Sequence, residues 1–385
     1  MSTQDLEDLH PNSLAAQDHR AQQTFPDARE LADRASAQSG RPLQQILKEI
    51  HQGERWPGKM SALDYLSHGL YELDKSQRKE FISDHIHWPI HDICNDPEWS
   101  EKTTDKSRCT QILLDSGIET IPVLALANAA EVDQGPTRSI QSSDDLRDFL
   151  SASSFPLFAK PNRLLGSFGA FRIEAWDGER ATLSSGEQSS ADAVLNEVMA
   201  GIPYVLQAVV KNHDQLREFA SGLATVRAVN LVEEQTVRMA RAVLKIPVAG
   251  QIADNAWREG NLVANVDPET GVITRVISGS GPDLVEYVEH PETGDPLVGM
   301  SIPLWSELRE LNERTARVFG ALPFQSQDIA LTNDGPVVVE VNSGASFALP
   351  QIASGTGMLT QENRRFFEAA GVNFRKLPSP QARAA

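Results

Sequence analysis

The sequence predicts an α+β fold with a mainly helical N-terminal extension. From Phe155 onward, short β-branched runs alternate with turn signals, and helical patterns lie between them. Before that point the apolar residues recur at helical spacing, for example at Leu63, Leu66, Leu70 and Leu73. With 385 residues the chain is too long for one ordinary core and suggests about two or three domains.

Composition excludes several classes of protein. Hydrophobic residues make up 40% and charged residues 23% of the chain, which is typical of a globular protein and not of a collagen-like or wholly disordered one. The longest apolar runs have only the length of a strand, so we expect no membrane span. A net charge of −18 would repel a phosphate backbone, and no local basic patch is evident, so we expect no nucleic acid partner.

Cysteine usage and the start of the chain indicate the compartment. Cys94 and Cys109 are too few to staple a fold of this size, which favours a reducing cytoplasm. The opening residues are polar and acidic and lack the basic and apolar regions of a secretion signal. We therefore expect a cytoplasmic protein. The sequence does not give the oligomeric state and leaves a homodimer open.

The N-terminal part divides into two segments. Residues 1–58 are interpreted as a partly mobile lead with one or two helices between Ala28 and Ile50. Residues 59–150 form a helical and α/β domain, whose first helical stretch is expected to end at Pro89. The pattern then predicts a helix over 105–116 capped by Thr104 or Asp105, a strand over 120–127 and a helix over 143–151.

The rest of the chain is interpreted as two α+β units, 151–210 and 211–372, followed by a loose tail over 373–385. Alternating β-branched and apolar residues predict strands over 155–160, 171–175, 181–184, 204–211, 225–233, 236–246, 272–277, 327–332 and 336–342. Helices are expected around 191–199 and over 305–319.

A hairpin near the carboxyl end carries the strongest signal for chemistry. Two β-branched runs, 327–332 and 336–342, flank a turn of sequence Asn-Asp-Gly. A loop of three residues would place Asp328 opposite Glu340. Two like charges in that position destabilise a sheet unless something neutralises them.

A divalent cation would supply that neutralisation. Glu340 and Asn342 are two residues apart and share one face of the strand, with Val339 and Val341 on the other. Together with Asp328 they offer oxygen ligands that suit Mg²⁺ completed by phosphate oxygens and water. Mn²⁺ is an alternative ion. The other interpretation is a solvated strand edge whose acidic residues face water.

A second candidate is a strand that ends at Lys160 and leads into a loop with Gly166 and Gly169. Glycines allow the backbone to approach phosphate oxygens closely, and the lysine supplies a point charge. The loop does not match the Walker pattern. An ordinary hairpin turn with a surface lysine is the alternative.

Three further strands have two interpretations each. Arg227 and Arg241 lie on otherwise apolar strand faces and need partners, because a buried unpaired charge is very costly. Each arginine could bind phosphate or carboxylate in a bidentate fashion, or could form a structural ion pair. The apolar strand 204–211 is either a core strand or one whose last backbone groups bind an adenine edge.

Other residues argue against other chemistries. His85, His87 and His91, which lie around Pro89, are interpreted as polar residues at a helix end and not as a zinc pair. Neither cysteine has a base at a recognisable spacing, and there is no Gly-x-Ser-x-Gly nucleophile motif. We therefore expect neither a thiol nor a serine nucleophile.

Together, the segments from Leu66 to Met358 resemble the ATP-grasp superfamily, most closely its sugar-transfer-associated branch, which is related to glutamate-ligase-like proteins. The resemblance implies the ATP-grasp fold, in which two α+β lobes, here 151–210 and 211–372, clasp ATP. The matching pieces are Asp105-Lys106, Phe158-Ala-Lys-Pro161 with its glycine loop, Val205 to Val209, Thr225-Val-Arg227, Asp254-Asn255 with Gly260, His290-Pro-Glu-Thr-Gly294, Ile302-Pro-Leu-Trp305, and the hairpin from Asp328 to Asn342.

The resemblance also implies roles for individual residues. Lys106 and Lys160 would contact phosphates, and Gly166, Ser167 and Gly169 would form the phosphate lid. The adenine hinge would consist of Gln207, Ala208 and Val209, with Asp214 as a ribose contact. Arg227 and Arg241 would bind the transferred phosphoryl group or the acceptor carboxylate, and Asp328, Glu340 and Asn342 would bind Mg²⁺. Two departures are a glutamine at the hinge, where many members have glutamate, and the lead 1–58, which has no counterpart.

The activity implied by this resemblance is ATP- and Mg²⁺-dependent carboxylate–amine ligation. A small-molecule carboxylate would attack the γ-phosphate to give an acyl phosphate, and an amine would displace phosphate to form an amide. Lys160, Arg227 and Arg241 would be the catalytic side chains. The alternatives are an ATP-dependent small-molecule kinase and a non-catalytic nucleotide-binding protein linked to polysaccharide export.

Overall fold

The computed structural model describes residues 28–129, 137–164, 167–248 and 260–380. Two seven-stranded sheets follow a helical N-terminal region, which confirms the predicted α+β class. The helices are α1 (Ala28–Ser39), α2 (Leu43–Gly53), α3 (Ala62–Ser67), α4 (Lys75–Arg78), α5 (His87–Cys94), α6 (Pro97–Thr104), α7 (Lys106–Asp115), α8 (Ser143–Ser151), α9 (Ala191–Ala193, continued by a π turn over Val194–Val198), α10 (Asp214–Arg217), α11 (Trp305–Val318), α12 (Ala348–Ser354) and α13 (Gln361–Ala369).

The strands form two sheets of different composition. Their bounds are β1 (Ala125–Ala127), β2 (Arg138–Ile140), β3 (Leu157–Pro161), β4 (Phe171–Trp176), β5 (Arg180–Leu183), β6 (Gln188–Ser190), β7 (Tyr204–Ala208), β8 (Thr225–Glu233), β9 (Thr236–Ile246), β10 (Leu262–Val266), β11 (Ile273–Ser278), β12 (Val285–Tyr287), β13 (Phe324–Thr332) and β14 (Gly335–Asn342).

The N-terminal helices surround a small core of their own. Leu31, Ile46, Leu66 and Leu70 are buried together there. Glu49 in α2 accepts a hydrogen bond from Tyr65 Oη at 2.7 Å and pairs with Arg41 at 2.7 Å and with Arg78. The two helices α1 and α2 match those predicted between residues 28 and 50, whereas residues 1–27 of the lead lie outside the described part.

Pro89 does not end the second helical stretch. It lies in the first turn of α5, which runs from His87 to Cys94. Proline is tolerated in a first turn because the backbone N–H that it lacks would have no partner within the helix. The predicted boundary is therefore wrong. A second difference is the predicted strand 120–127, of which only Ala125–Ala127 is a strand.

The first sheet has the strand order β2-β1-β7-β3-β4-β5-β6. It includes β1 and β2, so it begins before residue 151, where the sequence places the start of the first lobe. Its core contains Leu157, Ile173, Tyr204 and Leu206. The strand predicted over 204–211 ends at Ala208, which leaves the backbone beyond it outside the sheet.

The second sheet has the order β12-β11-β10-β9-β8-β13-β14. One face packs against α11 through apolar side chains such as Val226, Leu244, Ile329 and Leu308. Residues on opposite faces of a strand alternate, so the neighbours of these valines and leucines on β8, β9 and β13 face the other way. That second face carries most of the charged side chains described below.

The hairpin β13–β14 reaches its predicted pairing by another route. The turn has two residues, because Thr332 pairs with Gly335. A β-bulge then inserts Val339, since Ile329 pairs with Val338 and Asp328 pairs with Glu340. The expected position of Asp328 opposite Glu340 is thus present, but the three-residue loop is not. The bulge also buries Val338 instead of Val339, contrary to simple alternation.

The carboxyl end is more ordered than the predicted loose tail over 373–385. Phe374 and Leu377 are buried in a core shared with Phe366, Phe367 and Phe347. Residues 381–385 lie outside the described part. Among the described residues, no helix combines the length and apolar composition needed to cross a bilayer.

Candidate functional site

A cavity of about 330 Å³ is lined by residues of both sheets. Eight of the residues predicted for the site line it: Lys106, Lys160, Ser167, Gln207, Ala208, Val209, Asp328 and Glu340. Basic side chains predominate over acidic ones on its wall, because Arg172, Lys211 and Arg217 join the two lysines against the two carboxylates. In a chain of net charge −18 this is a local reversal of sign, and it suits an anionic ligand.

Asp328 lies on β13 at the floor of the cavity, with 3% of its surface exposed. Arg227 donates to it twice, Nε to Oδ1 at 2.9 Å and Nη2 to Oδ2 at 2.7 Å. Lys245 Nζ lies 3.1 Å from Oδ2. Burial by itself raises the pKa of the Asp328 carboxyl, but the charges of Arg227 and Lys245 outweigh it and hold that pKa well below its usual range.

Lys245 was not among the residues predicted from sequence. It lies within the apolar run at the end of β9 and is 4% exposed. A lysine so nearly buried needs a partner. Its position four residues after Arg241 on one strand was the available signal, because residues i and i+4 share a face.

Glu340 and Lys106 form the second charged pair at the cavity. Lys106 Nζ lies 3.3 Å from Glu340 Oε1 and donates to the Leu164 carbonyl. The lysine is the first residue of α7, whose N-cap Asp105 accepts from Arg108 N at 3.1 Å. The pair joins the helical region to β14.

Asn162 fixes the start of the glycine loop and was also missed from sequence. Its Oδ1 accepts from Ser107 N at 3.0 Å, and its Nδ2 donates to Asp105 at 3.1 Å. Further along, Tyr204 Oη donates to the Gly169 carbonyl at 3.0 Å. Ser167 and Gly169 have φ values of 58° and 72°, a left-handed region that favours glycine. Gly166 lies outside the described residues, as do Asp254 and Asn255.

The residues predicted for the adenine hinge lie at the end of β7. Gln207 is buried, and its Nε2 donates to the Ile121 carbonyl at 2.7 Å, so its side chain supports the sheet. Ala208 is exposed and ends the strand. Val209 N donates to the Pro156 carbonyl at 3.4 Å. The cavity wall at this point is therefore backbone and small apolar side chains.

Five predicted residues do not line the cavity in the described part of the chain: Gly169, Asp214, Arg227, Arg241 and Asn342. Arg227 lies behind Asp328 in the ion pair that the sequence left open as its alternative role. Arg241 instead reaches away from the cavity, where its Nη2 donates to the Gly357 carbonyl at 2.7 Å. Asp214 is exposed and bonds to Asn333 and Arg217, each at 3.0 Å.

Two of the three side chains predicted as Mg²⁺ ligands, Asp328 and Glu340, line the cavity, and the third, Asn342, does not. A carboxylate offers about four lone pairs, and the three bonds to Asp328 leave one on Oδ1. Glu340 faces the cavity, and the buried Asn342 Nδ2 has no partner among the described residues. No group of three His, Cys, Asp or Glu side chains suited to a metal occurs in that part of the chain.

The cysteines are unsuited to nucleophilic chemistry. Cys109 is buried beneath the cavity, and burial raises the pKa of its thiol to about 12. Burial also raises the pKa of Cys94 to about 12. A thiol with such a pKa holds almost no thiolate at neutral pH.

The chain is similar in structure to several solved proteins at low identity. They include the VanG D-Ala:D-Ser ligase from Enterococcus faecalis (12% identity, TM-score 0.40, covering 72% of this chain and 64% of that one). A D-alanine–D-alanine ligase from Bacillus anthracis has 12% identity and a TM-score of 0.38 over 73% of this chain and 71% of that one. A biotin carboxylase from Campylobacter jejuni has 11% identity and a TM-score of 0.42 over 75% and 50%.

This chain thus spans less than two thirds of the length of the VanG ligase. No curated protein matches the sequence. The family model described as sugar-transfer associated ATP-grasp matches residues 91–365. Because that match covers well over half of the chain, the protein belongs to the sugar-transfer-associated ATP-grasp family.

Proposed function

We propose that this protein is an ATP- and Mg²⁺-dependent carboxylate–amine ligase that forms an amide through an acyl phosphate. The observation that supports it most is the charge of the cavity, where five basic side chains surround a paired Asp328 and Glu340 in an otherwise acidic chain. Phosphoryl transfer needs positioning and charge neutralisation more than a protein nucleophile. Membership of an ATP-grasp family agrees with this choice of nucleotide.

The nucleotide is proposed to lie along the cavity from the hinge to the acidic pair. Ala208 and Val209 would offer backbone groups to the adenine edge. Lys106 and Lys160 would bind phosphate oxygens as point charges. Lys106 is suited to this because it already bridges Leu164, at the start of the glycine loop, and Glu340.

A Mg²⁺ ion held by Asp328, Glu340 and Asn342 would neutralise the phosphate oxygens and orient the triphosphate. Arg227 and Lys245 act as positioning residues, because their bonds fix the Asp328 carboxylate in its ionised form at the cavity floor. Tyr204 anchors Gly169 at the far end of the glycine loop.

The proposed reaction has two steps. A carboxylate oxygen bonds to the γ-phosphorus while the bond from that phosphorus to the β–γ bridging oxygen breaks, and ADP leaves. The amine nitrogen then bonds to the acyl carbon while the bond from that carbon to the phosphate oxygen breaks, inorganic phosphate leaves, and the amine loses a proton. Lysine and arginine charges stabilise both leaving groups.

A product screen tests this function. The protein with ATP and Mg²⁺ is incubated with pooled carboxylates and amines, and both ADP and the mass of new amides are measured. ADP that requires both pools supports the ligase. ADP formed with an alcohol alone would favour a kinase, and nucleotide binding without ADP across the panel would favour a non-catalytic protein.

Matched lysine variants sharpen the screen. Lys106→Met is expected to weaken ATP binding by about tenfold or more, because it removes a buried charge from the cavity wall. Lys48→Met, an exposed lysine of α2, is the control and should bind ATP like the parent protein. Equal ATP affinity in both variants would contradict the assignment of Lys106.

A further inference from the structure

The segment between β7 and α10 joins the two sheets and forms one part of the wall of the nucleotide cavity. Ala208, Val209, Lys211 and Asn212 all line that cavity. Lys211 is exposed, whereas Asn212 is buried, with 7% of its surface exposed. A buried amide needs hydrogen-bond partners, and those of Asn212 lie in another part of the same wall.

Asn212 bonds to the loop that leads into β8. Its Nδ2 donates to the Gly222 carbonyl at 2.8 Å, and its Oδ1 accepts from Ala224 N at 2.9 Å. These two bonds fix the orientation of the amide, because a flipped side chain would place its donor against an N–H group and its acceptor against a carbonyl. They also hold the backbone on either side of Leu223.

The loop held in this way lines the cavity over residues 220–223. Ser221 N donates to the Pro247 carbonyl at 2.8 Å, and Ala224 is buried in the core of the second sheet. Gly222 and Leu223 lie between these two attachments and precede the first residue of β8. The bond from Asn212 to Gly222 therefore constrains a stretch of backbone that the strand does not.

The residues that follow Asn212 are attached to the hairpin β13–β14. His213 N donates to the Leu331 carbonyl at 2.6 Å, and Asp214 N donates to Asn333 Oδ1 at 3.0 Å. Asn333 Nδ2 donates back to Asp214 Oδ1 at 3.0 Å. This reciprocal pair engages the side chain that the sequence predicted as a ribose contact, and it leaves Asn212 as the residue of the segment that bonds to the cavity loop.

We propose that Asn212 is a positioning residue for the nucleoside part of ATP. This inference rests on the proposed function, in which Ala208 and Val209 meet the adenine edge. The two bonds of Asn212 set the distance between the segment after β7 and the loop at Gly222, and both stretches line the cavity. Because backbone and small side chains form the wall here, its fit to a base and a sugar depends on where that backbone is held.

The absence of charge on Asn212 separates this role from phosphate binding. Asn212 is neutral and joins two stretches of backbone, whereas Lys106 is charged and bonds to Leu164 and Glu340. ADP and ATP share one nucleoside, so loss of Asn212 should weaken the binding of both nucleotides by the same factor. Loss of a contact to the γ-phosphate would weaken the binding of ATP alone.

Calorimetry with ADP and with ATP tests the positioning role. Asn212→Ala is expected to weaken the binding of both nucleotides by about tenfold, in keeping with the loss of two buried hydrogen bonds. Asn363→Ala is the matched control and should bind both nucleotides like the parent protein. Asn363 is also buried, donates to the Met358 carbonyl at 2.8 Å and accepts from Arg238 at 2.7 Å, but it does not line the cavity.

Asn212→Asp is a second variant, of the same shape as the parent residue. It keeps the acceptor for Ala224 N but cannot donate to the Gly222 carbonyl, so both nucleotides should bind about fivefold more weakly. Hydrogen exchange at Ala224 of the protein without nucleotide should rise by about tenfold in Asn212→Ala and stay near the parent value in Asn212→Asp. ADP and ATP affinities within about twofold of the parent in either variant, or a loss confined to ATP, overturn the proposal.

Kinetics with the substrate pair found in the product screen separates positioning from a general loss of structure. Asn212→Ala should raise the KM for ATP by about tenfold and leave kcat and the KM of the carboxylate within about twofold, because the lost bonds act on the nucleoside and not on the reacting atoms. A lower kcat with an unaltered KM for ATP contradicts the positioning role.

The parent protein distinguishes the two proposals. A parent that binds neither ADP nor ATP overturns the proposed function and this inference together. A parent that binds both nucleotides and makes no amide contradicts the ligase function, and calorimetry then decides the positioning role by itself. A parent that makes an amide, with an Asn212→Ala variant of unaltered nucleotide affinity, contradicts this inference alone.

Discussion

Two aspartates that contact different parts of the region around the hairpin β13–β14 have opposite pKa shifts. Asp328, at the cavity end, is buried but has two cations within 3.1 Å, and its pKa is held below the usual range. Asp84, which contacts residues 346–348 beyond Asn342, accepts three hydrogen bonds and has no cation among its described contacts; burial and the nearby Asp64 raise its pKa to about 6, while the three hydrogen bonds oppose the shift. The comparison teaches that burial raises the pKa of a carboxyl group unless cations contact it, as they do at Asp328 and not at Asp84.

Removing the charge-paired aspartate should have the largest effect. Asp328→Ala removes the buried carboxylate that pairs with Arg227 and Lys245, so we expect a loss of about 3–5 kcal/mol in the free energy of unfolding. ADP formation should also be abolished. Urea unfolding measures the first and a coupled ADP assay the second. A loss below about 1 kcal/mol in the free energy of unfolding would contradict the inferred contribution of the ion pairs of Asp328 to stability.

Adding a side chain at Gly344 should have the next largest effect on the free energy of unfolding. Gly344→Ala places a methyl group against His87, and we expect a loss of about 1–3 kcal/mol from overpacking. Combining it with His87→Ala should recover part of that loss, because the smaller side chain makes room. Additive losses in this double-mutant cycle would mean that His87 and Gly344 are not in contact.

Asp84 and His87 have shifted pKa values, and these shifts make the stability of the fold depend on pH. Asp84 keeps its proton up to about pH 6 in the folded chain but only to about 4 when unfolded, so the folded state binds more protons in between. Stability from this group therefore falls as the pH rises from about 4 to 6. Asp84→Asn should remove that fall, which amounts to roughly 1–3 kcal/mol between the two forms.

His87 acts in the opposite direction over the same range. Burial and the neighbouring His91 lower its pKa to about 3, against 6.5 for a free histidine, while Asp92 opposes the shift. The unfolded chain thus binds more protons between these values, and stability from His87 rises with pH. Urea midpoints of the parent, Asp84→Asn and His87→Gln from pH 4 to 7 separate the two slopes. Parallel curves for all three proteins would refute both assignments.

A third aspartate should show the smallest effect. Asp214 is exposed, and its pKa is lowered by a hydrogen bond from Asn333 and by the charge of Arg217. Such exposed pairs contribute little. We expect Asp214→Ala to bind ATP within about twofold of the parent by calorimetry. A loss of about tenfold would restore the ribose contact that the sequence predicted.

The charged residues of the cavity were accessible to sequence analysis because strands impose a strict alternation. Glu340 and Asn342 could be placed on one face from spacing alone, whereas the position of Asp328 opposite Glu340 was derived from a three-residue loop that the structure replaces with a two-residue turn and a bulge. Lys245 was not predicted, because a single lysine within an apolar run forms no pattern by itself. Only its spacing of four residues from Arg241 indicated that the two side chains share a strand face. Asn162 was missed because its partners in α7 lie more than fifty residues away.

The contacts of His87 and His91 on α5 could not be predicted from sequence for a different reason. His87 and His91 do have helical spacing, but Pro89 suggested a helix end, and the assumption that it broke the helix separated them. Their contacts are with Ser343 and Gly344, which come about 250 positions later in the chain. The fold class was within reach of the pattern, whereas the pairing of two segments so far apart was not.

The bulge at Val339 means that the hairpin tolerates two arrangements of equal outcome. A turn longer by one residue and a strand without the bulge would bring the same carboxylates face to face. Deletion of Val339 with the two-residue turn kept would also leave Glu340 opposite Asp328, because Ile329 pairs with Val338 on one side of the bulge and Asp328 pairs with Glu340 on the other. Relatives with a different turn length can accordingly keep the same chemistry, and aligning them by turn length alone would misplace the acidic pair.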